Sequence, residues 1–180
     1  MKQEIIIAGF GGQGVLSVGK IIAYSGVLQG LEATWMPAYG PEMRGGTANV
    51  TVIVSDERVS SPIVHEFDTA IILNQQSLDK FEPMVKSGGV LIYDPHGILH
   101  PPTRKDVAVY RVDATAEAAR MGNPRVFNMI VLGAFLKVSS VVALESVHKG
   151  VEKSLPERVH KTLPANYEAI DVGARIVEKV

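Results

Sequence analysis

The sequence predicts one α/β domain over residues 1–180, with a mostly parallel sheet between two layers of helices and a helical C-terminal third. Short β-branched apolar runs alternate with helical patterns through the first two thirds of the chain. A glycine-rich turn joins the first of these strands to the first helix, and the pattern after Asp113 becomes helical. The length of 180 residues suits a single domain.

The first elements form a strand–helix–strand pattern. Ile5–Ala8 is a continuous apolar run that predicts a strand buried on both faces. Val15–Gln29 follows as an amphipathic helix that ends near Gly30, and Glu32–Tyr39 is a second strand that completes a βαβ unit. Residues 47–55 alternate between apolar and polar side chains, which predicts a strand with one core face and one polar face.

The middle of the chain adds three strands and a helix. The strands are predicted at Thr69–Leu73, Val90–Tyr93 and Val107–Val112. A helix is expected from Ser77, as its N-cap, to Lys86, before the glycine pair at positions 88 and 89.

Helices fill the C-terminal third. We expect them at Ala114–Arg120, Pro124–Val138, Val142–Ser154 and Glu157–Glu178, with Pro164 splitting the last one. The segment near residues 127–136 is apolar nearly all round, which predicts the most buried helix.

Composition excludes several classes of function. The chain has 18 basic and 19 acidic residues, so it lacks the excess of positive charge that is typical of nucleic-acid-binding proteins. Cysteine is absent, which excludes a disulfide framework, a thiolate nucleophile and Cys-ligated zinc or iron–sulfur clusters. The N-terminal residues do not resemble a signal peptide, and Lys137 interrupts the longest apolar stretch. We therefore expect a cytoplasmic protein without a membrane partner.

The glycine-rich turn is the first candidate site. Residues 9–14 read G-F-G-G-Q-G and fit G-x-G-x-x-G between a strand and a helix, a Rossmann-like context for phosphate binding. A dinucleotide site also needs an acid at the end of the second strand, whereas Glu32 stands at its beginning. Three interpretations stay open: a dinucleotide site, a site for another anion, and a turn that only allows close packing. The candidates are Gly9, Gly11, Gly12, Gln13 and Gly14.

A second candidate lies between the second and third strands. Arg44 is flanked by Met43 and two glycines, so the backbone can approach a ligand while the guanidinium binds a carboxylate or phosphate. The alternative is an arginine in a surface turn that pairs with Glu42. The candidates here are Tyr39, Gly40, Glu42, Arg44, Gly45 and Gly46.

Polar residues also follow the later strands. Asn74–Gln76 and Asp94–His96 stand where strands end, and ligands in open α/β sheets bind beyond the carboxyl ends of strands. Asn74 is therefore a candidate binding residue, with helix capping as the alternative for this segment. The five histidines show no spacing typical of a metal site, and no nucleophile–histidine pattern occurs. We predict no catalytic residue and no metal ligand in this chain.

The glycine turn (residues 9–14) and the segment around Arg44 (residues 39–46), which we call the arginine loop, together resemble a known family. The segments GFGGQG, WMPAYGPEMRGGT and VIVSDERVSSPIV, followed by IILNQQSLDKF and GGVLIYD, are similar to the gamma subunit of 2-oxoacid:ferredoxin oxidoreductases, particularly the 2-oxoglutarate and branched-chain 2-oxoacid types. The resemblance covers about the first 95 residues well, and the helical remainder is compatible with it.

The resemblance implies a multi-subunit enzyme. Such a complex oxidatively decarboxylates a 2-oxoacid, with 2-oxoglutarate favoured here, and uses coenzyme A to form an acyl-CoA, CO2 and reduced ferredoxin. Thiamine diphosphate, Mg²⁺ and the iron–sulfur clusters would belong to the partner alpha, beta and ferredoxin-like delta subunits, so this chain alone would bind no cofactor and be inactive.

In that setting the two loops would contact partner subunits or coenzyme A, and the isolated chain is expected to self-associate. The competing hypothesis is a stand-alone Rossmann-type nucleotide-binding module. The acid missing after the second strand disfavours it.

Overall fold

The structure, a computed structural model, describes residues 1–39 and 46–180. In these residues seven strands form one sheet: β1 (Lys2–Phe10), β2 (Glu32–Tyr39), β3 (Thr47–Ser55), β4 (Phe67–Ile72), β5 (Val85–Tyr93), β6 (Ala108–Arg111) and β7 (Glu178–Lys179). The helices are α1 (Val15–Leu28), α2 (Gln75–Phe81), α3 (Ala114–Arg120), α4 (Phe127–Val138), α5 (Leu144–Ser154) and α6 (Leu163–Ile176). Short 3₁₀ turns cover Glu82–Met84, Pro95–Gly97, Pro124–Val126 and Glu157–Thr162.

The sheet has the order β2-β3-β1-β4-β5-β6-β7. The central strands β1, β4, β5 and β6 are parallel neighbours, whereas β3 and β7 pair antiparallel with theirs. The predicted α/β fold with a helical C-terminal third is confirmed, and the sheet is parallel in its middle and antiparallel toward both edges. Strand β2 runs parallel to β1, as a βαβ unit requires, but β3 lies between them.

The prediction of a polar face on β3 is wrong. Val50, Val52 and Val54 pack beneath α1, but Thr51 and Ile53 on the opposite face are buried as well. The reason is that both faces of β3 are covered in the folded chain, whereas alternation predicts a polar face only for a strand with one solvated face.

Two apolar cores lie on the two faces of the sheet. The larger one contains Ile5 and Ile7 of β1 and packs against α1, α3, α4, α5 and α6. The smaller one contains Ile6 of β1 and packs against α2. Helix α4 is buried continuously from Met129 to Phe135, which confirms the prediction that it is the most buried helix.

Close backbone contact joins α4 to α6. A Cβ atom on Gly133 would overlap the carbonyl oxygen of Ile170, and one on Gly173 would overlap that of Ile130. The two helices therefore cross at a distance that only glycine allows at these positions.

Several predicted boundaries are wrong for local reasons. Helix α2 ends at Phe81 because Pro83 lies in the following 3₁₀ turn, so the glycine pair at 88 and 89 falls inside β5. Helix α5 begins at Leu144, two residues later than expected. Pro164 does divide the last helical segment, in the first turn of α6, but residues 178 and 179 form an edge strand instead of continuing the helix. Among the described residues, no helix has the length and apolar composition needed to cross a membrane.

Candidate functional site

The glycine turn joins β1 to α1 and needs glycine at two positions for its backbone. Gly12 has a φ of 97° and Gly14 a φ of 76°, both in the left-handed region that other residues rarely adopt. Gly14 is also packed, since a Cβ atom there would lie 2.5 Å from Nδ2 of Asn128. Among residues 1–39 and 46–180, no heavy atom would lie within 4 Å of a Cβ atom on Gly12. Gly12 therefore leaves the backbone open to a ligand.

The side chain of Gln13 stabilises the glycine turn through two hydrogen bonds. Its Oε1 atom accepts a hydrogen bond of 2.6 Å from the amide of Phe10, and its Nε2 atom donates one of 3.3 Å to the carbonyl of Leu73. The side chain thus ties the end of β1 to the end of β4. Gly9 makes room for it, because a Cβ atom on Gly9 would lie 2.5 Å from Gln13 Oε1 and 2.9 Å from Leu73 Cβ. In the structure, Gly9 and Gln13 brace the loop.

A cavity of about 270 Å³ opens in front of α1, and we call it the loop cavity. It is lined by Gly11, Gly12, residues 14–17 and the start of β3. The first-turn amides of a helix have no partner within the helix. In the described part of the chain no side chain caps this end of α1, and its first turn contains no acidic residue. The helix dipole and these free amides favour an anion.

Gly46, the last residue of the arginine loop, lies beside the glycine turn. The amide of Gly11 donates a hydrogen bond of 2.9 Å to the carbonyl of Gly46, which brings the start of β3 against the glycine turn. The candidates Gly40, Glu42, Arg44 and Gly45 lie outside the described residues. Tyr39 ends β2, and only its backbone is described.

Asn74 lies at the end of β4 and is fully buried. Its Oδ1 atom accepts a hydrogen bond of 2.8 Å from the amide of Ser77. Asn74, and not Ser77, is therefore the N-cap of α2, because the side-chain oxygen that satisfies the free helix amide is that of Asn74. Its Nδ2 atom is buried and has no hydrogen-bond partner among the residues that the structure describes. Asn74 thus caps the helix and keeps one free donor.

Asp94 is a residue that sequence reasoning placed at a strand end without naming it as a candidate. It follows β5 and is buried. Burial raises the pKa of its carboxyl group, although the hydroxyl and amide of Thr115 donate hydrogen bonds that oppose this effect. The signal in the sequence was an acid directly after an apolar strand. No group of three His, Asp or Glu side chains suited to a metal ion occurs in the described part of the chain.

The sheet order bears on the dinucleotide interpretation. In a Rossmann site the second strand lies beside the first, so that its terminal acid reaches the ribose. Here β3 intervenes, which places β2 about 10 Å from β1 at ordinary strand spacing. This arrangement disfavours a dinucleotide site at the glycine turn.

Comparison with known proteins gives consistent matches. Residues 4–176 match the family Pyruvate ferredoxin/flavodoxin oxidoreductase. The ketoisovalerate oxidoreductase subunit VorA of Methanothermobacter thermautotrophicus is 38% identical over 97% of this chain and 35% of its own length. The 2-oxoglutarate synthase subunit KorC of Methanocaldococcus jannaschii is 34% identical over 87% of this chain and 86% of its own length. The chain therefore spans about a third of the VorA relatives and most of KorC.

Two solved structures are similar in fold. The gamma subunit of a keto/oxoacid ferredoxin oxidoreductase from Geobacter sulfurreducens has a TM-score of 0.85 at 28% identity and covers 98% of this chain and 96% of its own. The 2-oxoglutarate:ferredoxin oxidoreductase from Magnetococcus marinus, with 2-oxoglutarate, coenzyme A and succinyl-CoA bound, has a TM-score of 0.88 at 26% identity, over 99% of this chain and 32% of its own. The chain belongs to the pyruvate ferredoxin/flavodoxin oxidoreductase family, and its predicted resemblance to the gamma subunits is confirmed.

Proposed function

We propose that this chain is the gamma subunit of a cytoplasmic 2-oxoacid:ferredoxin oxidoreductase. The complex converts a 2-oxoacid and coenzyme A into an acyl-CoA and CO2 and passes the electrons to ferredoxin. Thiamine diphosphate, Mg²⁺ and iron–sulfur clusters belong to its alpha, beta and delta partners. The absence of cysteine supports this division, since this chain has no thiolate for a cluster.

The loop cavity is the contribution of this chain to coenzyme A binding. The observation that carries this proposal is the open face of Gly12 beside the free amides of α1, in a cavity without a first-turn acid. Backbone amides at a helix N-terminus bind phosphate oxygens, and a diphosphate is the most anionic part of coenzyme A. The similar Magnetococcus marinus enzyme was solved with coenzyme A bound.

The arginine loop completes the proposed site. In this proposal Arg44 binds a carboxylate of a partner subunit or a phosphate of coenzyme A, and Tyr39, Gly40, Glu42, Gly45 and Gly46 belong to the same site. The hydrogen bond from Gly11 to Gly46 supports this proposal because it holds one end of that loop at the glycine turn. Asn74 offers the buried Nδ2 donor on the neighbouring strand end.

We infer 2-oxoglutarate as the substrate, because the KorC relatives match this chain over most of their length. A branched-chain 2-oxoacid is the competing substrate, since the VorA relatives reach 38% identity.

The test is to purify the complex from native extract by a tag on this chain and to identify the subunits that copurify. Ferredoxin reduction is then measured with coenzyme A and 2-oxoglutarate, 2-oxoisovalerate or pyruvate. The proposal expects thiamine- and cluster-binding partners, turnover by the complex and none by the chain alone. Turnover by the isolated chain, or purification without such partners, would contradict it. A higher kcat/KM for 2-oxoisovalerate would contradict the substrate assignment alone.

A further inference from the structure

A second cavity of about 460 Å³, which we call the polar cleft, lies between α1, α4, the end of α5 and the start of α6. Its volume falls within the range of small-molecule sites, which is roughly 300–1,000 Å³. Ile21, Met129 and Leu155 provide apolar wall, and the side chains of Asn123, Asn128 and Asn166 provide amide groups. Asparagine amides can pair with the edge of a heterocyclic base, and apolar side chains can pack on its face.

The charged side chains that line the polar cleft are positive. Lys20 of α1 and Arg125 of the turn before α4 line it, and none of the residues that line it is acidic. Within residues 1–39 and 46–180, no carboxylate lies within 4 Å of either cation. The Nζ atom of Lys20 lies 5.5 Å from the centre of the Tyr24 ring. Two cations without an acidic neighbour favour a phosphate-bearing ligand.

The polar cleft adjoins the loop cavity. Ser17 lines both cavities, and Asn128 of the cleft packs against Gly14 of the glycine turn. An extended ligand that contacts Ser17 would therefore lie beside both the first turn of α1 and the cleft. Lys20 stands one turn further along the same helix.

We propose that the polar cleft binds a phosphorylated nucleoside, with the base between the apolar wall and the asparagine amides and the phosphate on Lys20 and Arg125. A free nucleotide and the nucleotide end of coenzyme A share this chemistry. Assignment to coenzyme A, whose diphosphate would then lie in the loop cavity, rests on the proposed function.

Binding of adenosine 3′,5′-bisphosphate to the full chain tests the cleft directly. Calorimetry compares the wild type with three variants that each lose one positive charge. These are the cleft variants Lys20→Gln and Arg125→Gln and the control Lys105→Gln. Lys105 is exposed on the loop before β6 and does not line the cleft. We expect each cleft variant to raise the Kd about tenfold, as loss of one charged hydrogen bond does, and Lys105→Gln to change it less than twofold. Unchanged thermal unfolding excludes misfolding as the cause.

Absence of binding to the wild type would overturn the proposal, as would a Kd that neither cleft variant alters or that Lys105→Gln alters equally. The assembled complex then separates the two ligand sources. A raised KM for coenzyme A in the Lys20→Gln complex supports the coenzyme A assignment. An unchanged KM, with weakened bisphosphate binding to the chain, supports a free-nucleotide site. Turnover by the wild-type complex tests the proposed function independently of both results.

Discussion

Replacing Gln13 with alanine should destabilise the chain without removing a ligand contact. The substitution deletes the 2.6 Å hydrogen bond from the Phe10 amide and the 3.3 Å bond to the Leu73 carbonyl. A hydrogen bond contributes about 1 kcal/mol net, and water can replace the exposed partner, so we expect a loss of about 1–2 kcal/mol in the free energy of unfolding. For a domain of this size that corresponds to a fall of about 2–8 °C in Tm.

Urea and thermal unfolding of the isolated chain measure this loss. Gln76→Ala is the matched control, since Gln76 is exposed on α2 and should change stability by less than about 0.5 kcal/mol. Gln13→Glu keeps the acceptor for Phe10 but turns a carboxylate oxygen toward the carbonyl of Leu73, so it should destabilise at least as much as Gln13→Ala. Equal stability of Gln13→Ala and Gln76→Ala, combined with weaker coenzyme A binding in the complex, would refute the bracing role and make Gln13 a ligand contact.

Three further results are expected. Gly133→Ala should cost about 3 kcal/mol or more or prevent folding, because the new methyl overlaps the carbonyl of Ile170; urea unfolding near the wild-type midpoint would contradict the close helix crossing. Burial raises the pKa of Asp94 above 3.8, so its ionised form weakens the fold. The stability of the wild type relative to Asp94→Asn should therefore rise as the pH falls from 7 toward about 4, and denaturant titrations showing the opposite trend would exclude this role. Val27 and Trp35 are 56% and 39% exposed on neighbouring elements, so the isolated chain should self-associate at micromolar concentration and Val27→Asp should reduce this; sedimentation of the wild type as a monomer only would contradict it.

Local patterns were sufficient for most of the fold. The apolar run of β1, the glycine turn and the all-round apolar character of α4 are properties of neighbouring residues, and each was predicted correctly. The insertion of β3 between β1 and β2 depends on pairing between distant segments, which no local period reports. Strand β7 consists of only two residues and adds to the sheet edge through β6, so it also lacked a local signal.

In the candidate site, too, the features set by neighbouring residues were predictable and those set by distant residues were not. Residues 9–14 were recognised because glycine spacing encodes a turn, and the structure places a cavity beside them. The sequence did not reveal that Gln13 turns inward, because its partner Leu73 lies 60 residues away. Nor did it connect Lys20 with Arg125, since only the packing of α1 against α4 brings them to one cleft.

The KM for coenzyme A of complexes that carry Gly12→Ala or Gly30→Ala tests the proposed site most directly. Both glycines have positive φ, and at either one an added Cβ atom meets no heavy atom of residues 1–39 or 46–180 within 4 Å. The two variants therefore carry similar backbone strain at opposite ends of α1. If the loop cavity binds coenzyme A, Gly12→Ala should raise the KM about tenfold or more, on the order of one lost hydrogen bond to a charged group, and Gly30→Ala should leave it within twofold. Equal KM values for the two variants would contradict coenzyme A binding at the glycine turn.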